Sequence, residues 1–229
     1  MKNALLLFSC FAYTHFTLIS SATHDQQKII VINGSSSAGK TSIIKQMQQM
    51  YKSPLLTIGI DLLWEIMPPQ YANTGTKAEE GFLFLETYDD QKRPVITIKL
   101  GQCAQQLCQQ LPDLIKSLAL TGYDIIVDEA FINETISHCY AKILKDYNAY
   151  FIGVFCDLAE LERREKSRGD REIGLARGQV NNAQKYTSCY DFTIDTTNTS
   201  THECVRQIIT YVENNPKPVG FQKLYAQIK

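Results

Sequence analysis

Residues 28–41 read Lys28-Ile29-Ile30-Val31-Ile32-Asn33-Gly34-Ser35-Ser36-Ser37-Ala38-Gly39-Lys40-Thr41. The β-branched run from Lys28 to Asn33 reads as a short buried strand that stops at a glycine. The eight residues from Gly34 satisfy G-x-x-x-x-G-K-[ST]. Helical spacing of Ile43, Ile44, Met47 and Met50 then follows over Thr41 to Tyr51. Strand, glycine-rich loop and helix in that order form a phosphate cradle. Glycines permit the backbone angles that turn successive N–H groups towards one point. The helix adds the positive end of its dipole. A lysine in the place of Lys40 supplies a mobile cation for the β- and γ-phosphates, and a hydroxyl in the place of Thr41 ligates magnesium. The stretch therefore predicts an ATP site on Gly34, Ser35, Ser36, Ser37, Ala38, Gly39, Lys40 and Thr41, with Mg2+ held in part by Thr41.

Outward from this loop, Leu55 to Ile60 is a second apolar run that ends at Asp61, and Leu62 to Met67 reads as a helical turn or two stopped by Pro68-Pro69. Residues 70–81 look like loop. Phe82 to Glu86 and Val95 to Lys99 alternate in part and suggest an inserted hairpin. Gln102 to Leu120 reads as a helix with Pro112 inside it, Asp124 to Asp128 as a third core strand, and Asn133 to Asp146 as a helix. Ala149 to Cys156 is a fourth strand. A helix over Ala159 to Lys166, a basic segment and a helix from about Ile173 to Lys185 follow. Phe192 to Asp195 is a fifth strand and Thr201 to Asn214 the last helix, with little pattern after Pro216. Strands alternating with helices predict an α/β fold: a P-loop NTPase or kinase-type three-layer architecture with a parallel five-stranded sheet, helices on both faces and a small inserted hairpin. Ligands of such sheets gather at the carboxyl ends of the strands. Asn33, Asp61, Asp128, Asp157 and Asp195 occupy those ends.

Asp128 closes the run Ile125-Ile126-Val127 and suits a magnesium-side carboxylate; a strand-end aspartate capping a turn would look the same. Glu129 beside it points to another face. Asp61 is placed either to accept the proton of an acceptor hydroxyl or to cap the helix from Leu62. Leu161 to Arg171 reads LERREKSRGDR. A solvated helix face accounts for Arg163, Glu165 and Lys166. Arg168 and Arg171 flank Gly169 and suit a flap that closes over a triphosphate and neutralises charge in the transition state.

Hydrophobic residues are 44% and charged residues 21% of 229, which suits one globular core. The formal charge of −1 gives no electrostatic reason to expect nucleic acid as a partner. The seven cysteines form no C-x-x-C pair and no zinc spacing, and read as free thiols, several of them buried. The four histidines are scattered. At the N-terminus, Lys2 precedes an interrupted apolar stretch that runs to Ile19, followed by Ser20-Ser21-Ala22. Residues 1–22 suit a signal peptide or an N-terminal extension, and the stretch is too short for a stable membrane span. Use of ATP favours the cytoplasm; export follows if residues 1–22 act as a signal. The expected division is residues 1–22, a P-loop kinase domain over 28–213, and a C-terminal tail over 214–229.

Five blocks, in order, resemble the chloramphenicol phosphotransferase family. They are Val31-Ile32-Asn33-Gly34 with Ser36-Ser37-Ala38-Gly39-Lys40; Gly59-Ile60-Asp61 with Pro68; Ile125-Ile126-Val127-Asp128 with Phe131; Val154-Phe155-Cys156-Asp157 leading to Arg164-Glu165 and Arg168-Gly169-Asp170-Arg171; and Tyr190-Asp191 with Asp195-Thr196-Thr197. The resemblance implies transfer of the γ-phosphate of ATP to a small-molecule hydroxyl, the primary 3-hydroxyl of chloramphenicol. It implies that Asp61 is the general base, that Arg168 and Arg171 are lid residues near the phosphates, and that Asp195, Thr196 and Thr197 lie near the nucleotide base. Antibiotic inactivation would be the outcome. Pro69 to Gly101 departs from the family pattern where a substrate wall would form. A kinase of another hydroxylated metabolite, or an ATP-binding protein without transfer activity, are the alternatives.

Overall fold

A computed structural model of the chain describes residues 27–169 and 172–228. The signal-peptide reading of residues 1–22 and the lid reading of Arg171 lie outside them. The chain runs β1 (Ile29–Gly34), α1 (Lys40–Met50), β2 (Leu55–Gly59), α2 (Ile60–Ile66), β3 (Ala72–Asn73), β4 (Phe82–Tyr88) and β5 (Pro94–Leu100). It continues through α3 (Gln102–Ala119), β6 (Asp124–Glu129), α4 (Glu134–Leu144), β7 (Ala149–Phe155) and α5 (Leu158–Arg168). It ends with α6 (Leu175–Gln184), β8 (Phe192–Asp195), α7 (Thr201–Asn214) and α8 (Gly220–Gln227).

The main sheet has five strands in the order β2-β6-β1-β7-β8, and every pair is parallel. Its strands are continuous apolar runs because both faces are covered. Successive side chains alternate between the faces. Ile29, Val31, Ile125, Val127 and Phe151 therefore meet α3, α4 and α8 on one side. Ile30, Ile32, Ile126, Tyr150 and Ile152 meet α1 and α7 on the other. Helix α3 runs unbroken through Pro112. No helix among the described residues is long and apolar enough to cross a membrane.

The structure departs from the sequence reading in three places. The inserted hairpin, β4 against β5 from Phe82↔Leu100 to Tyr88↔Pro94, gains a third strand. Two residues of the stretch expected to be loop, Ala72 and Asn73, pair in parallel with Phe82 and Leu83. A strand of two residues is too short for an alternating pattern to register. The segment after Pro216, expected to lack pattern, carries α8 with Phe221 and Leu224 in the core. Asp191 anchors its start by accepting N–H bonds from Val219 (2.7 Å) and Gly220 (2.8 Å), and a third from Phe151 (2.9 Å) on β7. Third, α2 begins at Ile60 with Gly59 as its cap, so Asp61 lies inside the first turn and is not an N-cap.

Candidate active site

The phosphate loop lies between β1 and α1. Ser37 (φ 64°) and Gly39 (φ 90°) adopt left-handed backbone, which the glycine accepts without strain. No side chain caps the start of α1. The first N–H groups of a helix have no partner within it, so they stay available to an anion. Two side chains clamp the loop. Gln179 of α6 accepts the Ser36 N–H (2.8 Å). Thr196 donates to the Ala38 carbonyl (2.9 Å). The Lys40 ammonium donates to the Ser35 carbonyl (3.0 Å) and sits 3.8 Å from an Asp128 carboxylate oxygen.

The carboxyl ends of β2 and β6 bring the acidic groups to this loop. Asp128 accepts a hydrogen bond from the Thr41 hydroxyl (2.7 Å), so the two expected magnesium ligands are neighbours. Gly59 pairs with Asp128 across the sheet, and a Cβ on Gly59 would stand 2.3 Å from the Asp128 carbonyl oxygen. That close approach seats Asp61, two residues later, on the same cavity wall region as Lys40, Thr41 and Asp128. Glu129 has no exposed side-chain surface. It accepts from Tyr140 (2.6 Å) and from the Ala130 N–H (2.9 Å). Burial pushes its carboxyl up to about 7, against the Tyr140 hydrogen bond.

Helix α5 carries the cationic side of the site, and Arg163, Arg164 and Arg168 line the cavity. Arg164 is held on edge, with bonds to Glu160 (2.7 Å), the Thr196 hydroxyl (3.1 Å) and the Thr196 carbonyl (2.7 Å). Hydrogen bonds from Arg163 and then Arg164 hold the Glu160 carboxyl down at about 2. Glu165, expected on a solvated face, is instead 1% exposed and accepts the N–H groups of Gly174 and Ala176, both at 2.8 Å. It caps α6 from below. Two residues, about 200° of helix, place Glu165 opposite Arg163, and charge count alone cannot separate an inward from an outward side chain. Asp195, Thr196 and Thr197 are not among the residues lining the cavity. Thr196 is buried under the loop, Asp195 accepts from the Thr197 N–H (2.8 Å), and the Thr197 hydroxyl accepts from the Asp157 N–H (2.9 Å).

The far wall draws on the stretch Pro69 to Gly101, where the sequence pattern placed a substrate wall, and adds residues of α2 that the sequence did not mark. The cavity, about 1140 Å³, extends from the loop to Ile60, Trp64 and Glu65 of α2, Asn73 of β3, Phe84 of β4 and Ile98 of β5. Trp64 lies tilted against Phe82 (4.5 Å between ring centroids) and Phe84 (5.1 Å). Asn73 takes a left-handed backbone (φ 56°), a conformation asparagine tolerates. Helix α6 ties this wall to α5. Gly174 accepts from the Ile96 N–H (3.0 Å), and Arg177 pairs with Glu162 of α5 (2.7 Å) and bonds the Pro94 carbonyl. The one local signal was the apolar-polar alternation over Phe82 to Lys99, which marked the hairpin without showing what it faces.

The residues fit ATP and Mg2+. The Ser37 hydroxyl is buried in the phosphate loop without a hydrogen-bond partner, as expected of a group that meets a ligand. Among the described residues no cluster of three or more His, Cys, Asp or Glu side chains could hold a metal ion. Thr41 and Asp128 would hold Mg2+ together with phosphate oxygens, the arrangement this small hard cation prefers.

A model of the family described as chloramphenicol phosphotransferase-like protein matches residues 27–213. A protein described in two Mycobacterium tuberculosis strains as a candidate O-phosphotransferase is 27% identical over 209 residues, covering 91% of this chain and 92% of its own length. Among solved structures, the chain is similar to Mycobacterium tuberculosis APS kinase (TM-score 0.53, 15% identity, 82% of this chain and 98% of that one). It is also similar to a Sinorhizobium meliloti gluconokinase (0.53, 13%, 88% and 97%) and to Acinetobacter baumannii shikimate kinase (0.52, 10%, 83% and 96%). These likenesses establish the P-loop kinase fold.

Proposed function

The chain belongs to the chloramphenicol phosphotransferase-like family of P-loop small-molecule kinases, and from that premise we propose that it moves the γ-phosphate of ATP to the primary 3-hydroxyl of chloramphenicol or of a related small alcohol. The observation that carries this reading is the shared cavity: Asp61 lines the same space as Lys40, Thr41 and Asp128. A base within reach of both an acceptor hydroxyl and the γ-phosphate is what alcohol phosphorylation requires.

In this mechanism Asp61 accepts the hydroxyl proton as the acceptor oxygen bonds to the γ-phosphorus. The bond to the β–γ bridging oxygen breaks, and ADP leaves with its electron pair. Backbone N–H groups of the loop and the Lys40 ammonium stabilise the charge that collects on the phosphate oxygens. Arg168 of α5 and Arg171 close over the phosphates and exclude water. Thr41 and Asp128 would hold Mg2+, which would supply charge neutralisation at the phosphates. Thr196 and Gln179 hold the loop in shape. Asp195 and Thr197, outside the cavity lining, would lie near the purine, as the family resemblance implies. Inactivation of an antibiotic would be the physiological result, in the cytoplasm where ATP is supplied.

The test is phosphate transfer from ATP to chloramphenicol, with Mg2+ and with excess chelator. Formation of the 3-phosphate that stops on chelation is the expected result. No product, alongside ATP binding, would remove chloramphenicol as the acceptor.

A further inference from the structure

The two ends of the cavity differ in charge, and we propose that Glu65 makes the acceptor end select against anionic alcohols and favour ring-bearing alcohols that carry a protonated amine. The proposal rests on the kinase reading above and ranks alcohol acceptors of the same site by charge, cationic ones above uncharged ones such as chloramphenicol and those above anionic ones. Among the described residues, every cation lining the cavity comes from the elements that surround the phosphate loop: Lys40 and Lys45 from α1, and Arg163, Arg164 and Arg168 from α5. The elements of the far wall, α2 and β3 to β5, contribute no lysine or arginine to the lining. Their charged lining residues are Asp61 and Glu65.

Asp61 and Glu65 stand four residues apart on α2, so one helical face presents both. Asp61 has the chemical task described above. Glu65 takes no part in it, and among the described residues no side chain forms an ion pair or hydrogen bond with it. Its neighbour Trp64 is fixed against Phe82 and Phe84, with Trp64 and Phe84 both reaching the cavity. Aromatic faces beside a carboxylate suit a flat ring joined to an organic ammonium. The carboxylate attracts the charge directly, and the ring quadrupole attracts it again. A carboxylated acceptor would bring like charge against Glu65.

Three phenyl-bearing primary alcohols differing only at nitrogen test this: 2-amino-3-phenylpropan-1-ol, its N-acetyl form and its N-succinyl form, which are cationic, neutral and anionic. Binding is read from the fluorescence of Trp64, the single tryptophan of the chain, and transfer from kcat/KM with MgATP. In the parent the cation should exceed the anion by about 10-fold in both readouts, the size of one partly screened charge interaction. Glu65→Gln should reduce that ratio to below about 3-fold and Glu65→Lys should invert it. Circular dichroism melts establish that both variants fold. An unchanged ratio in Glu65→Gln and Glu65→Lys, a parent that prefers the anion, or no binding of any probe would each overturn the proposal. Binding with the expected order but no phosphate transfer would instead remove the kinase reading and leave charge selection standing. Transfer with no charge preference would do the reverse.

Discussion

The phosphate loop and the wall opposite it face one cavity but are built in opposite ways. The loop is a contiguous octapeptide, Gly34 to Thr41, and it works through backbone: left-handed Ser37 and Gly39, an uncapped helix start, and one lysine. The wall is gathered from four separate elements and works through side chains: Trp64, Glu65, Asn73, Phe84 and Ile98. An anion cradle needs only N–H groups converging on a point, which a short chain segment can provide in any protein. Recognition of an acceptor needs shape, apolar surface and placed charge, which tertiary contacts must assemble. Binding of nucleotide and choice of acceptor should therefore respond separately to substitution.

The largest effect should come from the loop. Lys40→Met should lower phosphate transfer by about 10²–10³-fold, the usual cost of one donor to transition-state charge. Acceptor binding, followed by Trp64 fluorescence, should stay close to the parent value. Equal loss of acceptor binding would mean that the two ends do not function apart.

The strand spacing between the ends should give an intermediate effect. In Gly59→Ala the new methyl must avoid the Asp128 carbonyl oxygen, 2.3 Å from its ideal position. Separation of β2 from β6 should cost about 1–3 kcal/mol in the denaturant midpoint, typical of overpacking. Transfer should slow as well, because Asp61 and Asp128 follow the displaced strand ends. A variant as stable and as active as the parent would show that this close approach does not set the carboxylate spacing.

The smallest effect belongs to the support of Arg164. Glu160 has a folded carboxyl lowered to about 2 by Arg163 and Arg164. A depressed carboxyl contributes stability above its ordinary range and loses it as pH falls through the folded value. The stability advantage of the parent over Glu160→Gln should thus persist above about pH 4.5 and shrink towards pH 2. Surface screening keeps it small. Thermal melts at a series of pH values check this, and an advantage that grows on acidification would contradict it.

How far the molecule could be read from its sequence follows the same division. The continuous runs Ile29–Asn33, Ile125–Val127 and Ala149–Phe155 predicted a sheet covered on both faces, and it is. The neighbouring placement of Thr41 and Asp128 was legible because each ends a local pattern. Glu165 was misread as solvated because its partners, the N–H groups of Gly174 and Ala176, lie beyond the Gly169 break. Helix α8 was missed because its two core residues, Phe221 and Leu224, are too few to set a period, and Asp191 holds its start from another element. Trp64 and Glu65 carried no signal of their own, since an aromatic and an acid on a short helix mean nothing until β4 and β5 fold against them.

Asp61 is assigned to the chemistry and the octapeptide to nucleotide binding. The most direct test compares Asp61→Asn with the parent in two assays on the same preparation: the dissociation constant for MgATP and the single-turnover rate of transfer to an accepted alcohol. ATP affinity within about 3-fold of the parent and a transfer rate down by about 10²–10⁴-fold, the range expected for loss of a general base, is the predicted result. Unchanged transfer in Asp61→Asn, or loss of ATP affinity in parallel with transfer, would contradict it.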